Sequence, residues 1–175
     1  SLVLKVCGLA TDDARAAYKT SSFDFRNYKR LKMFLHAEAV NDANDIQDGE
    51  LGAFIRLGSD FNNNYYEFEI PLEVTQWGEN LDTQVWPENN ELDLEFELLQ
   101  LAKQDRNFAV AMGLHESNNV PYSTPDGRVT VRGNPNLSAV KTIMLGVRNL
   151  KNNGETVCGE VWFNELRLTD FDEYG

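Results

Sequence analysis

Histidine and cysteine are scarce in this 175-residue chain, with two of each. His36 and His115 have no partner at metal-ligand spacing, and Cys7 and Cys158 lack the Cys-x-x-Cys spacing of a zinc or redox site. No Gly-x-Ser-x-Gly elbow raises a serine nucleophile, and Ser59 is followed by Asp60 rather than set in a strand-to-helix turn. Basic residues are thin: 16 Lys and Arg face 28 Asp and Glu, a net charge of −12. Without a basic stripe to replace counterions, nucleic acid is excluded as a partner, and an anionic membrane surface would repel the chain. No apolar run approaches the ~20 residues that carry a helix across a bilayer. Acids are plentiful, yet no pair stands out as the two carboxylates of a glycoside hydrolase. The expectation is a non-enzymatic chain without a cofactor.

What the sequence does have is short apolar and polar alternation broken by Asn, Gly, Asp and Pro, the signature of antiparallel strands. Strands are expected over Leu2–Cys7, Leu31–Ala37, Leu51–Gly58, Tyr65–Ile70, Arg128–Arg132, Val140–Val147 and Glu160–Leu168, with a further short one at Phe108–Met112. Thr11–Ser22 reads as a polar loop, and His115–Gly127 as another. Pro87–Asn90 can start one helix whose Leu94, Leu98, Leu101 and Ala102 fall near helical spacing, although Glu91–Phe96 alternates and moves its start to about Glu95. The fold class is all-β with one short helix: a single antiparallel β-sandwich over residues 1–175, of jelly-roll type. Ser1–Val6 is strand-like with no basic lead-in, so no signal peptide is expected within it. The block Gly159–Glu173 runs a strong strand into an acidic cluster near the last residue, and reads as the closing strand of a domain cut from a larger protein. Within it, Leu166 and Leu168 are expected to pack inward with Trp162, while Glu165 and Arg167 look outward.

Four groups are candidates for binding. Asp170, Asp172 and Glu173, joined by Asp24 or Asp12, could gather oxygens for calcium, with a solvated strand edge as the alternative. Gly58–Asn64 offers further oxygens, though an Asn-rich turn accounts for them by conformation alone. Trp77 and Trp86 flank a polar loop and are the candidate glycan-stacking pair, with Tyr65, Tyr66 and Trp162 as further rings; for Trp162, core packing is the default. Cys7 and Cys158 can form one disulfide if the first and last strands are neighbours and their Cα atoms come within about 7 Å; two separate thiols are the alternative.

Several blocks occur in a telling order. Phe54–Phe61 leads into Asn64–Leu72, followed by Val85–Glu91, Gly133–Ser138, Ile143–Asn149 and the closing strand. This series resembles the SprA/Sov family, the giant outer-membrane translocon of the Bacteroidetes type 9 secretion system, linked also to gliding motility. The resemblance covers residues 25 to 173 and is weakest over 113 to 127. It implies a very large β-barrel with soluble domains inserted between membrane strands, this chain being one of them. Secreted cargo proteins and accessory secretion subunits are the implied partners, and no catalytic residue is carried over. The extracellular side is expected, since long insertions in bacterial barrels usually lie there, with the periplasmic side as the alternative. Asn27–Leu31 and Val161–Leu168 are also similar to galactose-binding-like jelly rolls, which makes a carbohydrate-binding module, with or without calcium, the second reading.

Overall fold

A computed structural model describes residues 1–171. Ten strands form two stacked antiparallel sheets. β1 (Leu2–Leu9), β10 (Val157–Thr169), β3 (Arg30–Glu38) and β6 (Leu92–Glu95) lie side by side in that order. The second sheet runs β2 (Ala14–Phe23), β9 (Val140–Asn149), β4 (Leu51–Gly58), β5 (Tyr65–Pro71), β8 (Val129–Arg132) and β7 (Tyr122–Ser123). A four-residue turn of helix, α1 (Asp82–Val85), and a 3-10 turn (Glu88–Asn90) precede β6, and the long helix α2 (Phe96–Ala111) follows it directly. The expected all-β sandwich is therefore the fold.

Alternation explains the core. Leu31, Met33, Leu35 and Ala37 of β3 face Leu51, Ala53, Ile55 and Leu57 of β4 across the layers, joined by Tyr66, Phe68 and Ile70 of β5 and Val161 and Phe163 of β10. Each buried Leu, Ile, Val, Met or Phe among them contributes about 1.5–3 kcal/mol of transfer free energy. α2 closes one end of the sandwich with Phe96, Leu99 and Ala102. Its Arg106 is also buried, and it donates to the carbonyls of Gly133 (2.6 Å) and Asn118 (3.3 Å) and to Asn107 Oδ1 (2.8 Å). A helical arginine thereby fastens α2 to the two ends of the segment that carries β7 and β8. Burial pushes the nearby Tyr66 hydroxyl up to about 12, opposed by the charge of Arg106.

Several details depart from the sequence expectations, the smallest being that the expected His115–Gly127 loop contains β7, paired with β8. Thr11–Ser22 is not a loop: residues 14–23 form an edge strand paired with β9 from Ala14–Arg148 to Phe23–Val140. Its strand is mostly exposed on both faces, so it carries little hydrophobic alternation to detect. Phe108–Met112 is the last turn and cap of α2, with the Met112 N–H on the Phe108 carbonyl at 3.0 Å. The helix buries Leu99, Ala102 and Arg106, leaving Leu98 and Leu101 outside. In β10, Val161 and Phe163 point inward, so Trp162 looks outward at 37% exposure; Leu166 is exposed as well. The register with β3 shifts between Asn164 and Arg167, where Glu165 sits at φ 56°; beyond this bulge only Leu168, opposite Leu31, returns to the core.

Candidate functional site

The outer face of the four-stranded sheet carries a cleft beside an aromatic and histidine cluster. Phe34 and His36 of β3 point outward and lie opposite Asn164 and Trp162 of β10. The segment from Leu72 to Glu91 crosses this face and is pinned to it. The Thr75 N–H donates to the Ala37 carbonyl of β3 (2.8 Å), while buried Asn90 closes the segment on itself by accepting the Glu73 N–H (2.7 Å) and donating to the Glu73 carbonyl (2.8 Å). His36 is the hub beneath this cover. Its Nδ1 lies 2.8 Å from the Val85 carbonyl and 3.3 Å from Thr75 Oγ1, whose own proton goes to the Gln84 carbonyl at 2.6 Å. Nδ1–H must then be the donor to Val85. Nε2 faces Glu38 at 3.5 Å, and the ring makes edge contacts with Trp162 (5.2 Å) and Trp86 (5.8 Å).

Beside this hub opens a cleft of about 400 Å³, lined by Phe34, Trp86, Asp82, Thr83, Asn164 and Glu165. Phe34 and half-buried Trp86 supply ring surface, and the other four supply carboxylate, hydroxyl and amide groups. Glu165 reaches it from the strained bulge residue, a left-handed conformation that costs a non-glycine residue on the order of 1 kcal/mol. The Arg167 guanidinium stacks over Phe34 at 4.6 Å and donates to Glu91 at 3.2 Å, which stiffens that wall.

The glycan-stacking pair expected from the sequence is not brought together here. Trp86 lines the cleft; Trp77, 52% exposed, is tied by its indole N–H to the Ala39 carbonyl at 3.0 Å and is not among the lining residues. Tyr65 and Tyr66 belong to the other sheet, Tyr66 in the core and Tyr65 under the Arg56 guanidinium at 4.0 Å. Of the acidic cluster, Asp170 pairs with Arg30 at 3.6 Å, beside Asp93 and Glu95. Asp172 and Glu173 lie outside the described residues. Asp24 is engaged with Arg26 at 2.7 Å, and Asp12 sits in the turn after β1, its N–H on Asn149. Among the described residues no three His, Cys, Asp or Glu side chains are grouped to hold a metal.

The Asp60 turn is explained by its backbone. The Asp60 carboxylate accepts the N–H groups of Asn62, Asn63 and Asn64 and the Asn64 amide. Burial alone would raise its pKa, but these donors outweigh burial and hold the carboxyl below its usual range. Cys7 and Cys158 are joined as a disulfide between β1 and β10, their Cα atoms 3.9 Å apart and 151 positions apart in sequence.

A second polar group lies on the outer face of the six-stranded sheet, where Arg56, Glu67, Glu69 and Arg148 form a ladder. Arg56 donates to Glu67 Oε1 from Nε (3.0 Å) and Nη2 (2.8 Å), and Arg148 reaches Glu67 Oε2 (3.1 Å) and Glu69. Phe54, 1% exposed, lies under Arg148 at 4.5 Å and fills the space over Gly146. Burial pushes the Glu69 carboxyl up against the opposing pull of Arg148. Neither this ladder nor the His36 hub was singled out from the sequence. Opposite charges at outward positions of two strands joined by a short turn were the available signal for the ladder. His36 had none, because its hydrogen-bond partners, Thr75 and Val85, lie far along the chain.

Comparison with protein families places these features. The family model SprA_N, described as motility related/secretion protein, matches residues 1–175. The chain belongs to that family. Family membership spans the whole sandwich, so the cleft, the ladder and the disulfide all fall inside the matched region. No curated protein matches the chain. Among the described residues of this family member, no helix is long and apolar enough to cross a membrane.

Proposed function

We propose that this chain is a structural and interaction domain of an outer-membrane protein-secretion translocon, acting in type 9 secretion and gliding motility without chemistry of its own. The observation that carries the reading is the match of a motility and secretion family to all 175 residues. A jelly-roll architecture is part of the proposal. With β7 and β8 set aside, the orders β1-β10-β3-β6 and β2-β9-β4-β5 alternate successive strands between sheets, except at the β4–β5 hairpin. The rigid sandwich would present surfaces to secreted cargo and accessory subunits, on the extracellular side of the membrane.

The test uses the parent protein in cells. Removing residues 1–175 while the parent still reaches the outer membrane should abolish cargo release and surface motility. Unchanged release and motility would refute the proposal. An epitope placed in the exposed Asn152–Gly154 turn should be cleaved by protease added to intact cells; protection would move the domain to the periplasmic side.

The Trp86 cleft supports a second reading, a carbohydrate-binding module. Ring surface beside carboxylate, hydroxyl and amide groups suits a pyranoside, whose apolar face stacks and whose rim hydroxyls hydrogen-bond. A glycan array should then give binding that Trp86→Ala removes, and silence across the array retires this reading. Calcium belongs to it as an option: melting temperature should rise with calcium in the native chain and fail to rise in Asp170→Ala.

A further inference from the structure

α2 has two apolar stripes, and only one is used by the fold. Phe96, Leu99, Ala102 and Arg106 face the sandwich and are buried. Positions 98, 101, 105, 108 and 112 recur at spacings of three and four, which places Leu98, Leu101, Asp105, Phe108 and Met112 along a second line of the helix. The apolar members are 41%, 44%, 65% and 61% exposed, and Leu114 just beyond is 79% exposed. Such a concentration of large apolar side chains on one exposed helix is unlike the scattered single ones of ordinary surfaces.

The stripe runs into a groove of about 620 Å³ between α2 and the β7–β8 hairpin. Phe68, Ala102 and Val129 floor the groove, Pro125 walls it, and Leu98 and Leu101 form its helical lip. Its charge is uneven. Asp105 and Asp126 line it and Glu97 adjoins Leu98, against the lone guanidinium of Arg128. None of these three carboxylates is in an ion pair among the described residues. The Asp126 carboxylate accepts the Thr124 hydroxyl and the Arg128 N–H, which fixes it at the groove edge.

We propose that this face of α2 seats a partner's amphipathic helix whose apolar stripe repeats at three-and-four spacing and whose flanks carry Lys or Arg. Spacing selects the helix, because a seam of that period interdigitates with another of the same period. The unpaired carboxylates, on a chain of net charge −12, select basic flanks and reject acidic ones. The inference rests on the reading of the chain as an interaction domain and names the kind of partner it takes.

The test uses the whole chain and three synthetic three-heptad peptides: Leu at the seam with Lys flanks, the same composition scrambled, and Leu at the seam with Glu flanks. The Lys-flanked peptide should bind in fluorescence anisotropy, with the scrambled and Glu-flanked peptides at least about tenfold weaker. Leu101→Asp with Phe108→Asp should weaken it by about tenfold or more, since both positions lie on the seam. Asp105→Lys, at an exposed position with no fold role, should turn the preference toward the Glu-flanked peptide. Equal binding of the three peptides, no binding of the Lys-flanked peptide, or indifference to these variants overturns the inference. So does self-association that Leu101→Asp with Phe108→Asp abolishes, which would make the occupant a second copy. Binding to neutral or anionic phosphatidylcholine-based vesicles, lost in the same variant, would make it a lipid surface and overturn it too. If secretion still requires residues 1–175 while peptide discrimination fails, this inference falls and the translocon reading stands.

Discussion

Removing the Glu67 carboxylate should unfold this sandwich more readily than removing any exposed acid. Its side chain is 8% exposed, and it is the shared acceptor of Arg56 and Arg148, themselves 18% and 19% exposed. Breaking a buried pair by deleting one partner costs about 3–5 kcal/mol, because the remaining charge is left desolvated. Both arginines keep a second acceptor, Arg56 the Phe61 carbonyl at 2.6 Å and Arg148 the Glu69 carboxylate, which places Glu67→Ala at the lower end, about 3 kcal/mol. In a chain of this length that is about 6–12 °C in melting temperature. Urea unfolding followed by tryptophan fluorescence should show a lower midpoint at an unchanged slope. Arg56→Met with Glu67→Leu should recover much of the loss, since two apolar side chains replace both charges together. A cost below about 1 kcal/mol, the range of an exposed ion pair, would refute the view that the ladder is desolvated.

Three further outcomes follow from other contacts. Burial, the dominant cause, and Glu67 raise the Glu69 carboxyl above its ordinary 4.5 against the opposing pull of Arg148, so its stabilising contribution is full below that value and lost as pH rises through the raised one. Glu69→Gln should therefore flatten the stability profile from about pH 4 toward neutral; a profile parallel to the native one in urea melts sinks this assignment. A Cβ on Gly146 would run into the Phe54 ring and come within 2.9 Å of the Arg15 carbonyl, so Gly146→Ala should cost about 1–3 kcal/mol by thermal melting, and a neutral result would show the ring free to move. Cys7→Ser should lose a bridge that closes a loop of 151 positions, about 4–5 kcal/mol by loop entropy, and abolish the mobility shift on reduction in denaturing gels.

The sandwich itself was legible because β3 alternates along most of its length and β4 and β5 are short, largely buried runs joined by an Asn-rich turn. Legibility failed where tertiary context overrides the local pattern. β2 is mostly exposed and therefore looks like loop. The Glu165 bulge changes which face the residues of β10 present, and the left-handed position falls on a glutamate, a residue type that does not announce it. α2 misleads because it has two apolar stripes. Leu98 and Leu101 drew attention as larger apolar residues, yet Arg106 occupies the buried line, where three main-chain and amide oxygens stand in for water. The candidate site was half legible: Trp86 was named from its place in a polar loop, but its neighbours Phe34, Asn164 and Glu165 come from strands more than 50 positions away.

The two sheets use their outer faces differently, and that difference narrows where partners can bind. On the six-stranded sheet, Phe54, Arg56, Glu67, Glu69 and Arg148 satisfy one another, so a partner landing there would have to break contacts already made. On the four-stranded sheet, the 72–91 segment covers His36 but stops short of Phe34, leaving ring surface and four polar side chains facing solvent. α2 leaves more still, with a line of large apolar groups and carboxylates that lack ion-pair partners among the described residues. Unsatisfied chemistry therefore concentrates at the Trp86 cleft and the outer stripe of α2. A partner for this domain gains most by covering the stripe, since apolar surface there loses water without any native contact being given up.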